Sequence, residues 1–225
     1  MPERFLGIDT SNYRTSAAVY DAGSGEWCNR GSLLTVPEGA IGLRQSDALF
    51  QHTVHLHEKI EALPQGEVRA VGVSTRPRAV EGSYMPCFLA GVSAAEAFAL
   101  ARGIPLVRTT HQQGHAAAAL FAAKGETLFR EKTLLFHISG GTTDLLLCDE
   151  VKHIETLGTS SDLYAGQAVD RVGVKLGFGF PAGAEVSRLA AECEEIIKPK
   201  SSVRGMECSL SGLENQCNAL LAAGK

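Results

Sequence analysis

Leu134-Leu135-Phe136-His137-Ile138, then Ser139-Gly140-Gly141-Thr142-Thr143-Asp144, then Leu145-Leu146-Leu147-Cys148-Asp149 read in that order as strand, tight glycine turn and strand. The same plan stands near the start of the chain. Phe5-Leu6-Gly7-Ile8 is apolar, Asp9-Thr10-Ser11-Asn12 supplies a turn, and Ser16-Ala17-Ala18-Val19-Tyr20 is apolar again. Both tips carry small hydroxyl or glycine residues, past which backbone N–H groups can approach phosphate oxygens. A single tip of this kind is weak evidence, since many hairpins use glycine. Two of the same design predict a duplicated α/β lobe with a nucleotide held between the copies.

Between the hairpins lies Thr109-Thr110-His111-Gln112-Gln113-Gly114-His115, opening an alanine-rich run to Phe121. If residues 111 to 121 are helical, the two histidines stand one turn apart on a single face. Two imidazoles so placed can share one divalent metal and leave coordination positions for other groups. Histidine pairs at this spacing are common, and the plainer reading has them touching solvent or a carbonyl. The flanking glycine turns give the pair its functional context.

The remaining segments fill an α/β pattern. Trp27 to Val36 predicts a third strand, and Gly42 to Ala62 a helix with Leu43, Leu49, Phe50, Val54, Leu56 and Ile60 at helical spacing, ended by Pro64. His52, His55 and His57 are read as a solvated or partner-facing surface of that helix. Val68 to Val73 is a short strand, and Pro86 to Leu100 a helix stopped by Gly103. Ile104 to Val107 leads into the histidine helix, and Lys124-Gly125-Glu126 reads as an exposed turn. Ser161-Asp162 is expected to cap a helix over Leu163 to Leu176. Another helix is expected over about 184–197, and Cys208 starts a further element.

Composition narrows the class. The chain of 225 residues, 44% hydrophobic and 20% charged, can bury a sizeable core in one large or two small domains. A net charge of −4 provides no global attraction to nucleic acid, so RNA contact needs a local basic patch or a partner subunit. Scattered Arg44, Arg76, Arg78, Lys198, Lys200 and Arg204 are read first as solvated surface. The six cysteines form no CxxC pair, which suits reduced thiols and a cytoplasmic setting. The start lacks a hydrophobic leader, and no apolar run is long enough to span a bilayer.

In sequence order these segments resemble the tRNA threonylcarbamoyladenosine transferase family, TsaD in bacteria, formerly called O-sialoglycoprotein endopeptidases. Gly7-Ile8-Asp9-Thr10-Ser11 is similar to the family's first phosphate-loop signature, and His111 and His115 match its two metal-binding histidines. His137-Ile138-Ser139-Gly140-Gly141 matches its second glycine loop, and Ala165-Gly166-Gln167-Ala168-Val169-Asp170 its Ala-Gly-Glu-Ala-Phe-Asp helix. Phe180-Pro181-Ala182-Gly183 resembles Tyr-Pro-Gly-Gly, and Ser209-Leu210-Ser211-Gly212-Leu213 resembles Ser-Phe-Ser-Gly-Leu. Each motif alone is weak; six in order are specific.

The resemblance implies the actin-like ATPase (ASKHA) superfold: two duplicated lobes, each a mixed sheet flanked by helices. Residues 1–108 would form the first lobe and 109–225 an incomplete second one. It implies transfer of threonylcarbamoyl from its adenylate to the amino group of a tRNA adenosine, an acyltransferase reaction. One divalent metal, iron or zinc, would sit on His111 and His115. Adenylate or ATP would contact His137, Ile138, Ser139, Gly140 and Gly141, with Asp170 accepting from ribose hydroxyls and Gly183 closing on the sugar. The implied partners are tRNA, bound through local contacts or a partner subunit, and a protein of the same superfold.

The chain also departs from the family pattern. Asn12, Tyr13 and Arg14 replace acidic positions, Gln113 and Gln167 replace glutamates, and Thr142 stands where a histidine follows the double glycine. The family's aspartate ligand and asparagine substrate contact are expected past Lys225. A second reading is therefore open, a non-catalytic paralogue that binds nucleotide or a partner subunit. The protease reading ranks last, because Gln112 occupies the place of the general base in His-Glu-x-x-His and its amide cannot take up a proton at neutral pH.

Overall fold

The computed structural model describes residues 3–37, 43–123, 130–149, 153–194 and 197–224. The chain divides into two compact units, Met1–Ala118 and Ala119–Lys225. The turn read at Lys124-Gly125-Glu126 lies outside the described residues.

The first unit is built on a five-stranded sheet in the order β3-β2-β1-β4-β5. Its strands are β1 (Arg4–Asp9), β2 (Arg14–Asp21), β3 (Trp27–Leu33), β4 (Val68–Ser74) and β5 (Leu106–Thr109). The first three form the antiparallel meander that the N-terminal hairpin predicted, while β4 and β5 join parallel to β1. Helices α1 (Gln45–Glu61) and α2 (Phe88–Arg102) supply the crossovers that parallel pairing requires. Strand alternation sends Leu6, Ile8, Ala17, Val19, Val71 and Val73 into one core with Leu56 and Ala95 from the helices. The order, with β2 antiparallel beside a parallel β1-β4-β5 half, is that of an actin-like lobe, and the fold class is α/β of that type. Helix α3 (His111–Ala122) leaves the end of β5, and its first two turns belong to this unit.

His52 corrects a sequence expectation. It is fully buried, not solvated, because Thr15 and the carbonyl of Asn12 provide partners for both ring nitrogens beneath the β1–β2 turn. His57 is exposed, and His55 pairs with Glu58 at 3.3 Å on the helix surface.

The second unit repeats the antiparallel half of this plan. Strands β6 (Lys132–Ile138), β7 (Thr143–Asp149) and β8 (His153–Thr159) form a sheet in that order. Inward Leu146 and Cys148 alternate with outward neighbours on β7, whereas Leu134, Phe136 and Ile138 of β6 stand exposed. Helices α4 (Ala165–Lys175), α5 (Gly183–Glu192) and α6 (Ser211–Ala222) follow, with the short strands β9 (Val203–Arg204) and β10 (Glu207–Cys208) ahead of α6.

Asp162 is a second correction. Its place in sequence predicts a cap on its own helix, but α4 starts three residues later at Ala165. The Asp162 carboxylate instead accepts from the hydroxyls of Ser209 and Ser211 and from the Leu210 amide at 2.8 Å, tying α6 to the α4 entry.

Candidate functional site

The first unit brings four polar elements to the C-terminal end of its central strands. Asp9 ends β1, Ser11 lies in the turn after it, Ser74 ends β4, and His111 opens α3 behind β5. Parallel strands deliver their C-terminal ends to one edge of the sheet, where α/β folds place ligands.

The entry to α3 is fixed twice. The His111 and Gln112 amides donate to the carbonyls of Arg76 and Pro77 at 2.9 and 3.0 Å. Thr110 and Gln113 form a reciprocal capping box: the Gln113 amide donates to Thr110 Oγ1 at 3.1 Å, and the Thr110 amide to Gln113 Oε1 at 2.8 Å. The glutamine at 113 therefore supplies the acceptor that a glutamate would supply there.

His111 meets Asp9 through Nδ1, at 3.0 Å from Oδ2. The same oxygen accepts from Ser74 Oγ at 2.6 Å, and Oδ1 accepts from the Ser11 amide at 2.8 Å. Burial pushes the Asp9 carboxyl up, but His111, Ser11 and Ser74 outweigh it and hold the pKa down at about 2. Asp9 is thus a carboxylate at neutral pH and can only accept, so Nδ1 of His111 carries a proton. In the neutral ring Nε2 is left with its lone pair.

Nε2 of His111 lies 2.8 Å from Nε2 of His115, with Ser11 Oγ at 3.5 Å from the former. The rings meet edge to face, 4.2 Å between centroids. With the His111 proton on Nδ1, a hydrogen bond across this gap has His115 as its donor. A zinc-type ion holds nitrogens at about 2.0–2.1 Å, which for a tetrahedral angle sets them roughly 3.3 Å apart. The pair therefore fits two corners of such a site after a small outward rotation. Among the described residues no cluster of three or more His, Cys, Asp or Glu side chains is placed to hold a metal. Asp9 faces the opposite nitrogen of His111 and is not a ligand in this geometry.

The second unit holds the other predicted residues. His137 and Ile138 end β6, paired with Asp144 and Thr143 of β7. The turn that follows is closed by the Ser139 amide donating to the Thr142 carbonyl at 2.7 Å, and by the Gly141 amide donating to Ser139 Oγ at 3.2 Å. A side chain at Gly140 or Gly141 would meet open space, and both residues are exposed.

The N-terminus of α4 packs directly on this turn. The Gly166 amide donates to the Ser139 carbonyl at 3.2 Å, and the Ala165 amide to Thr143 Oγ1 at 2.8 Å. A Cβ at Gly166 would lie 2.6 Å from the Gly140 nitrogen, so only glycine permits the approach. Gln167 Oε1 accepts from the Tyr164 amide at 3.4 Å, the same acceptor role that Gln113 plays in α3. Asp170 Oδ1 accepts from the Ala182 and Gly183 amides at 2.9 and 3.1 Å, bracing the start of α5. Sequence reading assigned Asp170 to a sugar and missed this use. The Asp9 bonds to Ser74 and His111 and the Asp162 bond to Ser209 carried no local signal, since these partners lie 47 or more residues away in sequence.

The first unit's sheet and the paired histidines define an actin-like α/β protein with an imidazole pair at the edge of its central strands. A family model described as TsaD, tRNA N6-adenosine threonylcarbamoyltransferase, matches residues 59–224, and the chain belongs to that family. It is 35% identical over 162 residues to the tRNA N6-adenosine threonylcarbamoyltransferase of Streptococcus suis (strain 05ZYH33), covering 69% of this chain and 46% of that one. To the protein of the same name from Streptococcus pneumoniae (strain ATCC 700669 / Spain 23F-1) it is 32% identical over 169 residues, covering 72% and 49%. The chain spans about half the length of these curated relatives. Among solved structures it is similar to YeaZ from Pseudomonas aeruginosa, with a TM-score of 0.41 and 12% identity over 99% of this chain and 94% of that one. It is also similar to the ethanolamine utilization protein EutJ from Carboxydothermus hydrogenoformans, with a TM-score of 0.44 and 15% identity over 84% and 61%. Among the described residues no helix is long and apolar enough to cross a membrane.

Proposed function

We propose that this chain carries the threonylcarbamoyl-transfer site of its family: an adenylate donor, a tRNA adenosine acceptor and one divalent metal, iron or zinc, on His111 and His115. The observation that carries the reading is the 2.8 Å approach of the two Nε2 atoms at the start of α3. A metal held there would act as a Lewis acid toward the carbonyl oxygen of the threonylcarbamoyl group. In the reaction the adenosine amino nitrogen bonds to that carbonyl carbon, the bond from carbon to the phosphate oxygen breaks, and AMP leaves while the amine gives up a proton.

The chain's own residues orient and neutralise. Asp9 fixes His111, and Ser11 Oγ lies 3.5 Å from its Nε2. In the second unit, the exposed turn at Gly140 and Gly141 would contact phosphate or carbonyl oxygen through its backbone, with the Gly141 N–H exchanging Ser139 Oγ for the ligand. His137 and Ile138 position that turn from β6. Asp170 braces Gly183 with one oxygen, leaving the other for a ribose hydroxyl. tRNA and a protein partner of the same superfold complete the reading, in a cytoplasmic setting.

The test measures bound metal, adenylate affinity and transfer to tRNA for the chain and for His111→Ala/His115→Ala. The expected result is metal lost in the double variant, with transfer lost alongside it. Unchanged metal stoichiometry would overturn the assigned site. Adenylate binding without any transfer, with the family's partner proteins supplied, would favour the non-catalytic alternative.

A further inference from the structure

We propose that Asp9 is a positioning residue: it sets the tautomer and aim of His111, so that Nε2 presents a lone pair toward His115. The inference deepens the metal-histidine reading and rests on it for its purpose, while its geometric content stands on the apo chain.

Three observations carry it. Asp9 Oδ2 lies 3.0 Å from Nδ1 of His111, on the side of the ring away from His115. The carboxylate is itself held by two donors, the Ser11 amide on Oδ1 and Ser74 Oγ on Oδ2. The imidazole thus takes its direction from β1 and β4, two central strands of the sheet, and not only from its own helix. A carboxylate behind a metal-binding histidine raises the basicity of the far nitrogen and restrains ring rotation. The two oxygens of Asp9 are committed to a backbone amide, a serine and a histidine.

The Ser11 amide makes the prediction sharp. A backbone N–H can only donate, so in Asp9→Asn the new carbonyl oxygen stays on Ser11 and the NH2 group turns to Ser74 and His111. Ser74 Oγ can accept from it. Nδ1 of His111 must then accept as well, which moves the ring proton to Nε2 and blocks the nitrogen that faces His115. An isosteric change thereby switches the tautomer without opening a cavity.

The experiment uses 15N-labelled apo protein, with nitrogen–proton correlation spectra of the histidine rings, and a zinc titration of the same samples. In the unaltered chain His111 is expected to show a protonated Nδ1 and a bare Nε2, reversed in Asp9→Asn. Zinc affinity is expected to fall about 10- to 100-fold in the variant. Ser74→Ala, which removes a single bond to Asp9, is expected to keep the tautomer with a smaller loss of affinity. The same tautomer in Asp9→Asn as in the unaltered chain overturns the proposal. Absence of zinc binding by the unaltered chain, with the tautomer switch intact, sinks the metal reading alone and leaves the role of Asp9 supported.

Discussion

His52 and Asn12 join helix α1 to the tip of the β1–β2 turn. The ring Nε2–H donates to the Asn12 carbonyl at 3.2 Å, and Nδ1 accepts from the Thr15 hydroxyl at 2.8 Å. Asn12 has φ 47°, a left-handed conformation that asparagine tolerates better than most residues. The histidine therefore braces the turn that carries Ser11.

Burial lowers the pKa of His52, so the folded chain holds it neutral. Its contribution is complete above the unfolded histidine value of about 6.5 and declines as pH falls below it, because the unfolded chain takes up a proton that the folded chain resists. His52→Ala should cost about 2–4 kcal/mol through a cavity and two lost partners. Urea unfolding between about pH 8 and about pH 5.5 should show a shallower loss of stability in the variant than in the parent.

Gly166→Ala should separate α4 from the glycine turn. A Cβ at 2.6 Å from the Gly140 nitrogen forces the helix or the turn to move, at a cost of about 1–3 kcal/mol. A thermal melt measures the cost, and adenylate titration should show weaker binding than the loss of stability alone explains. Unaltered affinity would detach the Ser139–Thr142 turn from the ligand.

Gln113→Ala removes one arm of the capping box and should destabilise by roughly 0.5–2 kcal/mol. Gln113→Glu keeps the acceptor oxygen and adds charge at a helix N-terminus, so it should match or exceed the parent in thermal stability. A marked loss in the glutamate variant would show that the amide itself is needed.

Asp162→Ala should free the segment ahead of α6. The Ser209 and Ser211 hydroxyls and the Leu210 amide hold the Asp162 carboxyl well below its usual range. Its tie is present above the ordinary carboxylate value of about 3.9 and is lost as pH falls toward the depressed value. Hydrogen exchange at residues 209–211 should accelerate in the variant at neutral pH. Exchange unchanged from the parent would assign the anchoring elsewhere.

Both hairpins and the histidine helix were legible because each rests on a local pattern: apolar runs around a glycine or hydroxyl tip, or two histidines four apart. The burial of His52 was not, since a polar residue on a helix reads as solvated until its partners appear from another element. Asp9 and His111 lie 102 residues apart, and no period in the sequence links them. Strand β8, His153–Thr159, escaped notice because half-buried and exposed residues dominate it, leaving little alternation to read. The two glutamine replacements read as lost acids in sequence; in the fold their side-chain oxygens accept at the starts of α3 and α4. Asp162 looked like a cap from its neighbours alone, and its actual donors arrive from 47 residues further on.

The bond between Asp9 and His111 has a consequence for biosynthesis. One partner ends the first strand of the sheet; the other follows all five of its strands in the chain. A nascent chain still on the ribosome carries loose imidazoles, but they acquire a fixed bearing only when that sheet closes. The bearing of His111 is thus a property of the assembled sheet and not of helix α3 alone.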